Sequence, residues 1–300
     1  MKVFVTGASG LVGTDLCAQL VAEGHEVGKL VRRPAKTDAE VQWNPVDGTI
    51  ESEKLEGCDA IIHLAGENIA GRRWNDAFKA KIRDSRVDGT RLIAEAVAGL
   101  ANPPSVVVCA SAIGYYGDRG DEQMFEDSTP GDDFLADVCK EWEQAADPIR
   151  ARGIRTVHLR IGVILSTKGG ALAKMLFPFK MGGGGIIGNG RQYWSWVSLD
   201  DVVGGLIHCM NTKELDGPVN GTSPEPATNY DFTKTLGKVL KRPTFLPMPA
   251  FAAKLAFGEM GEALMLSSTR VIPKKLVDSG YQFKHSGLES AFIRAIHEKG

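Results

Sequence analysis

The residues whose types and spacing suggest chemistry begin at the second position of the chain. In Lys2-Val-Phe-Val-Thr-Gly-Ala-Ser-Gly-Leu-Val-Gly13, a short apolar run meets three glycines at three-residue intervals. Gly7, Gly10 and Gly13 stand where a strand would pass into a helix. A helix start carries unpaired N–H groups and a partial positive charge, so such a turn suits an anion. Gly7 permits the tight turn, Gly10 lets a pyrophosphate approach the backbone, and Gly13 lets the helix lie close on the strand. The spacing is GxxGxxG rather than GxGxxG, and the strand-to-helix context carries the reading of a dinucleotide site.

A second chemical signal is Arg32-Arg33-Pro34, which ends the alternating run Glu26-Val-Gly-Lys-Leu-Val31. At the tip of the second strand of a dinucleotide-binding sheet, a carboxylate accepts hydrogen bonds from the ribose 2′-hydroxyl of NAD. An Arg instead meets the 2′-phosphate of NADP. No carboxylate follows until Asp38, and a guanidinium fork suits a phosphate better than a hydroxyl. The expected cofactor is therefore NADP, with NAD less favoured.

Further candidates lie at later strand ends. Residues 58–66 read as a buried strand closing on small residues, with His63 as a core histidine. Residues 105–111 form another, followed by the loop Ala112-Ile-Gly-Tyr-Tyr-Gly-Asp118. In Arg191-Gln-Tyr-Trp-Ser-Trp196, the side chains of Arg191, Tyr193 and Trp194 suit a polar ring in a substrate, or equally a lid on the core. The glycines of 182–190 precede no Gly-Lys-Ser/Thr, which excludes a P-loop.

The elements that position these residues follow from periodicity. Helices are expected over 11–23, 74–100 (with Gly89 as a candidate kink) and 134–152. Strands are expected over 25–31, 58–66 and 105–111, and over 154–160 with a prolongation through 166. Five alternations of strand and helix demand a parallel sheet with helices on both faces and right-handed crossovers. The expected fold class is α/β: a doubly wound parallel sheet with a smaller C-terminal α/β lobe. Residues 1–166 would bind the nucleotide. Residues 167–300 would form mainly a substrate lobe, with some segments returning to the sheet.

Composition narrows the classes. The chain has 300 residues, is 43% apolar and carries a net charge of -2, which gives no argument for nucleic acid or an anionic membrane. Cys17, Cys58, Cys109, Cys139 and Cys209 are scattered, with no CxxC pair, so no metal site or disulfide framework is expected. The chain opens on a strand without a leader, and no apolar run approaches the ~20 residues of a membrane span. These features suggest a cytoplasmic protein with a small-molecule substrate.

Several segments together resemble a known family. Thr6-Gly-Ala-Ser-Gly-Leu-Val-Gly13, His63-Leu-Ala-Gly66, Tyr116-Gly117, Leu159-Arg160 and Trp196-Val-Ser-Leu-Asp-Asp-Val202 fall in the order of the extended short-chain dehydrogenase/reductases. More narrowly, Ala65-Gly-Glu-Asn-Ile69, Arg73-Trp74-Asn75, the 134–143 segment and the C-terminal segment resemble the atypical "epimerase family" branch. The resemblance implies a Rossmann sheet and an NADP-dependent oxidoreductase or epimerase, its substrate a nucleotide sugar or a small carbonyl or hydroxyl compound. It implies that Gly7, Ser9, Gly10, Leu11 and Val12 hold the pyrophosphate and that Arg32 and Arg33 flank the 2′-phosphate. It implies Leu64 and Ala65 on the ribose side, Lys81 and Arg86 reaching the cofactor, and Ile164 near the nicotinamide. Related folds often pair through helices, so a homodimer is one expectation.

The catalytic signature departs from the family pattern. Family chemistry uses a Tyr and, four residues on, a Lys on one helix face, the Lys lowering the phenol pKa. Anchoring on Glu143 puts Leu135 and Cys139 at those positions, and Lys140 is rotated ~100° around the helix. Ser111 lies one residue before the usual Ser/Thr position, which is Ala112. Tyr115 or Tyr116, with Ser111 orienting the substrate, are the candidate replacements. The alternative is a regulatory or sensor protein that keeps the cofactor site without the Tyr/Lys pair.

Overall fold

The computed structural model describes residues 1–297. Eight strands form the main sheet: β1 (Lys2–Thr6), β2 (Glu26–Val31), β3 (Glu40–Asn44), β4 (Thr49–Ile50), β5 (Ala60–His63), β6 (Val106–Ala112), β7 (Arg155–Ile161) and β8 (Gly217–Gly221). Their order is β8-β7-β6-β5-β1-β2-β3-β4. Every neighbouring pair is parallel except β3 with β4. The order reverses direction at β1, between β2 and β5. In such sheets the crevice for a ligand opens there, at the carboxyl ends of the strands.

Alternation along β1 explains its central place. Val3 and Val5 face one core with Leu16 and Leu20 of helix α1 (Leu11–Ala22), while Phe4 faces another with Ile93 and Val97 of helix α2 (Asp76–Ala98). A strand covered on both faces reads as a continuous apolar run, as Val3 to Val5 do. Helix α2 runs without interruption through Gly89, which packs beside Trp43. The candidate kink at Gly89 does not interrupt the helix, and a Cβ there would meet Trp43 at an ordinary contact distance of 3.7 Å.

Two expected elements divide. The 134–152 helix is α3 (Phe134–Gln144) followed by a short α4 (Asp147–Ala151), with Pro148 in the first turn of the second piece. The strand expected through 166 leaves the main sheet at Gly162. Residues Val163–Leu165 pair instead with Trp196–Ser198, and a side chain at Gly162 would collide with the Ser195 carbonyl.

Helix α5 (Gly170–Lys180) follows, and then α6 (Leu199–Asn211), which returns to the first core through Val202, Val203 and Leu206. Ser198 caps α6 by accepting from the Asp201 amide. A separate core gathers Leu172, Leu176, Phe179, Trp194, Trp196, Phe232 and Phe292, with Phe232 and Leu236 from α7 (Asn229–Leu240) and Ala253 from α8 (Ala250–Phe257).

Candidate functional site

The glycine turn is built around an open helix start. Gly7 has φ +65°, in the region open to glycine, and Gly10 is the N-cap of α1 with no side chain to offer. A side chain at Gly13 would strike the Gly7 carbonyl, so α1 lies directly on the turn. Asn75, Asp133, Ser198 and Thr228 each accept from the amides of their helices, whereas the first turn of α1 has no side-chain cap and no acidic residue. Its N–H groups and dipole stay available to an anion beside Ser9, Leu11 and Val12.

Thr6 fixes the opposite wall. Its Oγ accepts from the amides of Leu64 (3.0 Å) and Ala65 (3.1 Å), so its own proton goes to His63 Nδ1 at 2.7 Å. His63 Nε2–H then donates to Thr90 Oγ1 at 3.1 Å, which also accepts from the Trp142 indole. Burial, and then the neighbouring His158, push the His63 pKa down to about 4, so the ring is neutral. His63 is a core histidine that positions the loop. Thr6 itself was missed by sequence reading, although its place immediately before Gly7 was a signal.

The remaining cofactor candidates gather around this crevice. Leu64 and Ala65 approach Gly7 so closely that a side chain there would meet them at 3.0 and 3.1 Å. Leu11 packs toward Gly169 and Gly170, just beyond Ile164, and Lys168 pairs with Asp15 of α1 at 3.0 Å. Arg86 lies beneath Gly66, donates to the carbonyls of Glu67 and Ile82 (both 3.0 Å) and stacks on Trp142. Lys81 pairs with Glu67 at 2.8 Å, and Glu67 also senses the charge of Arg32.

The two tip arginines differ. Arg33 grips Glu40 at 2.5 and 2.9 Å, which with the Lys36 amide lowers the Glu40 pKa to about 2. Arg32 has neither a hydrogen bond nor an ion pair among the described residues, which makes it the guanidinium available to a ligand.

At the end of β6 the polar groups are closed in. Ser111, 3% exposed, donates to Glu143 Oε1 at 2.7 Å. Arg160 holds that carboxylate through two bonds, 2.8 and 2.9 Å, and its third nitrogen reaches the Tyr116 hydroxyl at 2.9 Å. Tyr116, 0% exposed, donates to Asn220 Oδ1 at 2.6 Å. Burial pushes the Tyr116 pKa up to about 12. Burial alone would raise Glu143 too, but the Arg160 guanidinium wins and holds it below the usual carboxylate range. Both hydroxyls expected at a substrate therefore face inward, because a charged pair in a low-dielectric core demands every nearby donor and acceptor. The paired charges Glu143 and Arg160, set among apolar residues, were the signal in the sequence for this network.

Tyr115 is half-buried. Its ring carries the Arg160 guanidinium at 3.4 Å, and its hydroxyl makes no hydrogen bond among the described residues. Leu135 and Cys139 pack toward Gly114, and Cys139 Sγ lies 3.7 Å from the Ala112 carbonyl, so they occupy the helix face at the end of β6. Burial raises the Cys139 thiol to about 12. Lys140 turns away to Asp137 at 2.6 Å.

Arg191 and Tyr193 line a separate cleft of about 720 Å³ with Asp118, Asn189, Tyr230 and Ser268. Trp194 does not join them. Successive side chains of a strand point to opposite faces, and this one is 8% exposed with its ring against Phe232 at 5.0 Å. No group of three or more His, Cys, Asp or Glu suited to a metal occurs among the described residues. No helix among them is long and apolar enough to cross a membrane.

Comparison with known proteins shows the family and the fold. Residues 3–220 match the NAD dependent epimerase/dehydratase family, and residues 248–295 match a domain of unknown function, DUF1731. The chain is 42% identical over 298 residues to epimerase family protein Mb2239 of Mycobacterium bovis, covering 99% of this chain and 98% of that one. It is 36% identical over 299 residues to human epimerase family protein SDR39U1, covering 99% and 100%. The crystal structure of human SDR39U1 (isoform 2) with NADPH superposes with a TM-score of 0.89 at 35% identity, over 100% of both chains. The protein belongs to the NAD dependent epimerase/dehydratase family, as an extended short-chain dehydrogenase/reductase of the SDR39U1-like epimerase type.

Proposed function

We propose that this protein is an NADP-dependent oxidoreductase or epimerase acting on a carbon that bears a hydroxyl or carbonyl group. The observation that carries the reading is Arg32, an unpartnered guanidinium at the tip of β2 on the same crevice as the uncapped start of α1. The human relative bound NADPH in its crystal, which supports the same choice. The glycine cradle fits such a group, since side chains at Gly7 and Gly13 would fill the space of the turn.

In this reading the amides of Leu11 and Val12 and the hydroxyl of Ser9 bind the pyrophosphate, while Gly7 and Gly10, joined by the Gly10 amide donating to the Gly7 carbonyl at 2.9 Å, shape the turn beneath it. Arg32 takes the 2′-phosphate, while Arg33 orients the strand tip through Glu40. Leu64 and Ala65, held by Thr6, shape the ribose side, with Lys81 and Arg86 supporting that wall. Bound there, the nicotinamide supplies or accepts hydride. Tyr115 is the proposed proton donor, because its hydroxyl is unengaged among the described residues while its ring is held against the Arg160 guanidinium. Arg191 and Tyr193 contact substrate across the second cleft. Residues 1–166 carry the cofactor and 167–300 most of the substrate lobe, and the protein works in the cytoplasm, with a homodimer as its assembly.

Calorimetric titration with NADPH and NADH tests the cofactor assignment, and NADPH is expected to bind at least tenfold more tightly. Absorbance at the nicotinamide band against a panel of nucleotide sugars and small carbonyls tests the activity. Tyr115→Phe should lower turnover with little change in cofactor affinity. A second reading is a cofactor-binding regulatory protein, motivated by Leu135 and Cys139 at the Tyr/Lys positions. Tight NADPH binding with no turnover across the panel would favour that reading over the first.

A further inference from the structure

The net charge of -2 conceals an uneven distribution. Residues 166–199 and 232–258 contain no Asp or Glu and nine Lys or Arg, which leaves -11 on the remainder of the chain. Three stretches within them turn large apolar side chains outward: Phe177 on α5 with Met181 at its C-cap, Phe245 and Leu246 in the loop after α7, and Phe251 and Leu255 on α8. Phe177 and Leu255 are 74% and 76% exposed. The i, i+4 spacing puts each helical pair on one outward stripe, while Leu176, Phe179 and Ala253 on the opposite faces fill the core.

The stretches meet around one junction. Ile187 and Met248 form a bridge, Gly185 lies against the Leu246 carbonyl, and Arg242 Nε donates to the Lys180 carbonyl at 2.8 Å. Around this apolar face stand Lys174, Lys180, Lys234, Lys241 and Arg242, none with a carboxylate partner among the described residues. Protruding apolar side chains with a rim of unpaired cations need an occupant that is anionic at its surface and apolar beneath it.

We infer that this face, formed by α5, the 241–248 loop and α8, docks on an anionic phospholipid surface. A second copy of the chain fits poorly, because two-fold pairing would set the same five uncompensated cations against one another. Protein partners generally bury Tyr, Trp and Arg and avoid Lys. Here four of the five cations are lysines, and the apolar residues stand out from the surface. Long lysine stems beside inserted Phe and Leu suit the boundary between headgroups and acyl chains, where the ammonium reaches back to lipid phosphate.

Co-sedimentation of the full chain with vesicles tests the inference. Phosphatidylcholine containing one-third phosphatidylglycerol should capture the protein, phosphatidylcholine alone should not, and high salt should release it. Each cation near such a surface contributes about fivefold, so Lys180→Gln with Lys241→Gln should weaken partitioning by about twenty-five-fold. Phe177→Ser with Phe251→Ser should weaken it at least tenfold while NADPH affinity and Tm stay unchanged. Equal behaviour with both vesicle types, or full binding by both double variants, would overturn the inference. So would light scattering that shows a dimer dissolved by the Phe variants without vesicle binding, or docking on an acidic protein alone.

Discussion

Two regions along the same edge of the sheet treat their polar groups in opposite ways. At β1 and β2 donors are left over: the first turn of α1 is uncapped and Arg32 has no partner. At β6 and β7, Ser111, Glu143, Arg160, Tyr116 and Asn220 satisfy one another in a closed chain of hydrogen bonds. Both regions contain the residue types of an active site. Only the first is unsaturated, and unsaturated donors at a crevice are what a ligand completes. The second is a structural clamp that holds the strand ends, α3 and the loop after β6 in one arrangement.

Breaking the clamp should give the largest effect. Arg160→Met leaves the Glu143 carboxylate buried without its partner and should cost about 3–5 kcal/mol in denaturant unfolding. Replacing both residues with apolar ones should recover much of that, and a double-mutant cycle measures the difference. If Arg160→Met loses turnover without losing stability, the clamp is part of the chemistry and the contrast fails.

Closing the open region comes next. Gly13→Ala forces α1 off the turn, since its methyl strikes the Gly7 backbone, and NADPH affinity should fall by about a hundredfold or more. Arg32→Ala should weaken NADPH by about tenfold or more and leave NADH nearly unchanged, in line with the ~1.5–3 kcal/mol of charged hydrogen bonds. Arg33→Ala should have the smaller effect, because its guanidinium already faces Glu40. Equal losses for the two arginines in calorimetry would erase the distinction between them.

Stability should also depend on pH. His63 and His158 are buried and neutral, each with its pKa pushed down to about 4 by desolvation. The unfolded chain binds more protons than the native one between that value and the ordinary histidine pKa of about 6.5. Stability should therefore fall as pH drops through this window, with a slope of up to about 1.4 kcal/mol per pH unit for each histidine. A flat unfolding profile across the window would show that both rings take up protons in the native state, and half the slope would show that one does.

The amino-acid sequence by itself determined the parallel sheet, the nucleotide turn and the preference for a cationic strand tip. Those follow from local spacing: glycines at fixed intervals, apolar runs of strand length, and two arginines before a proline. The absence of the Tyr/Lys pair was legible only against the family resemblance, which, anchored on Glu143, puts Leu135 and Cys139 at those positions. The tertiary structure alone decided which polar residues remained free. Glu40 lies seven residues from Arg33, but Glu143 reaches Ser111 from 32 residues away and Asn220 reaches Tyr116 from 104. Saturation of a hydrogen-bonding group depends on partners brought together by chain crossings, and no local pattern encodes which crossing delivers them.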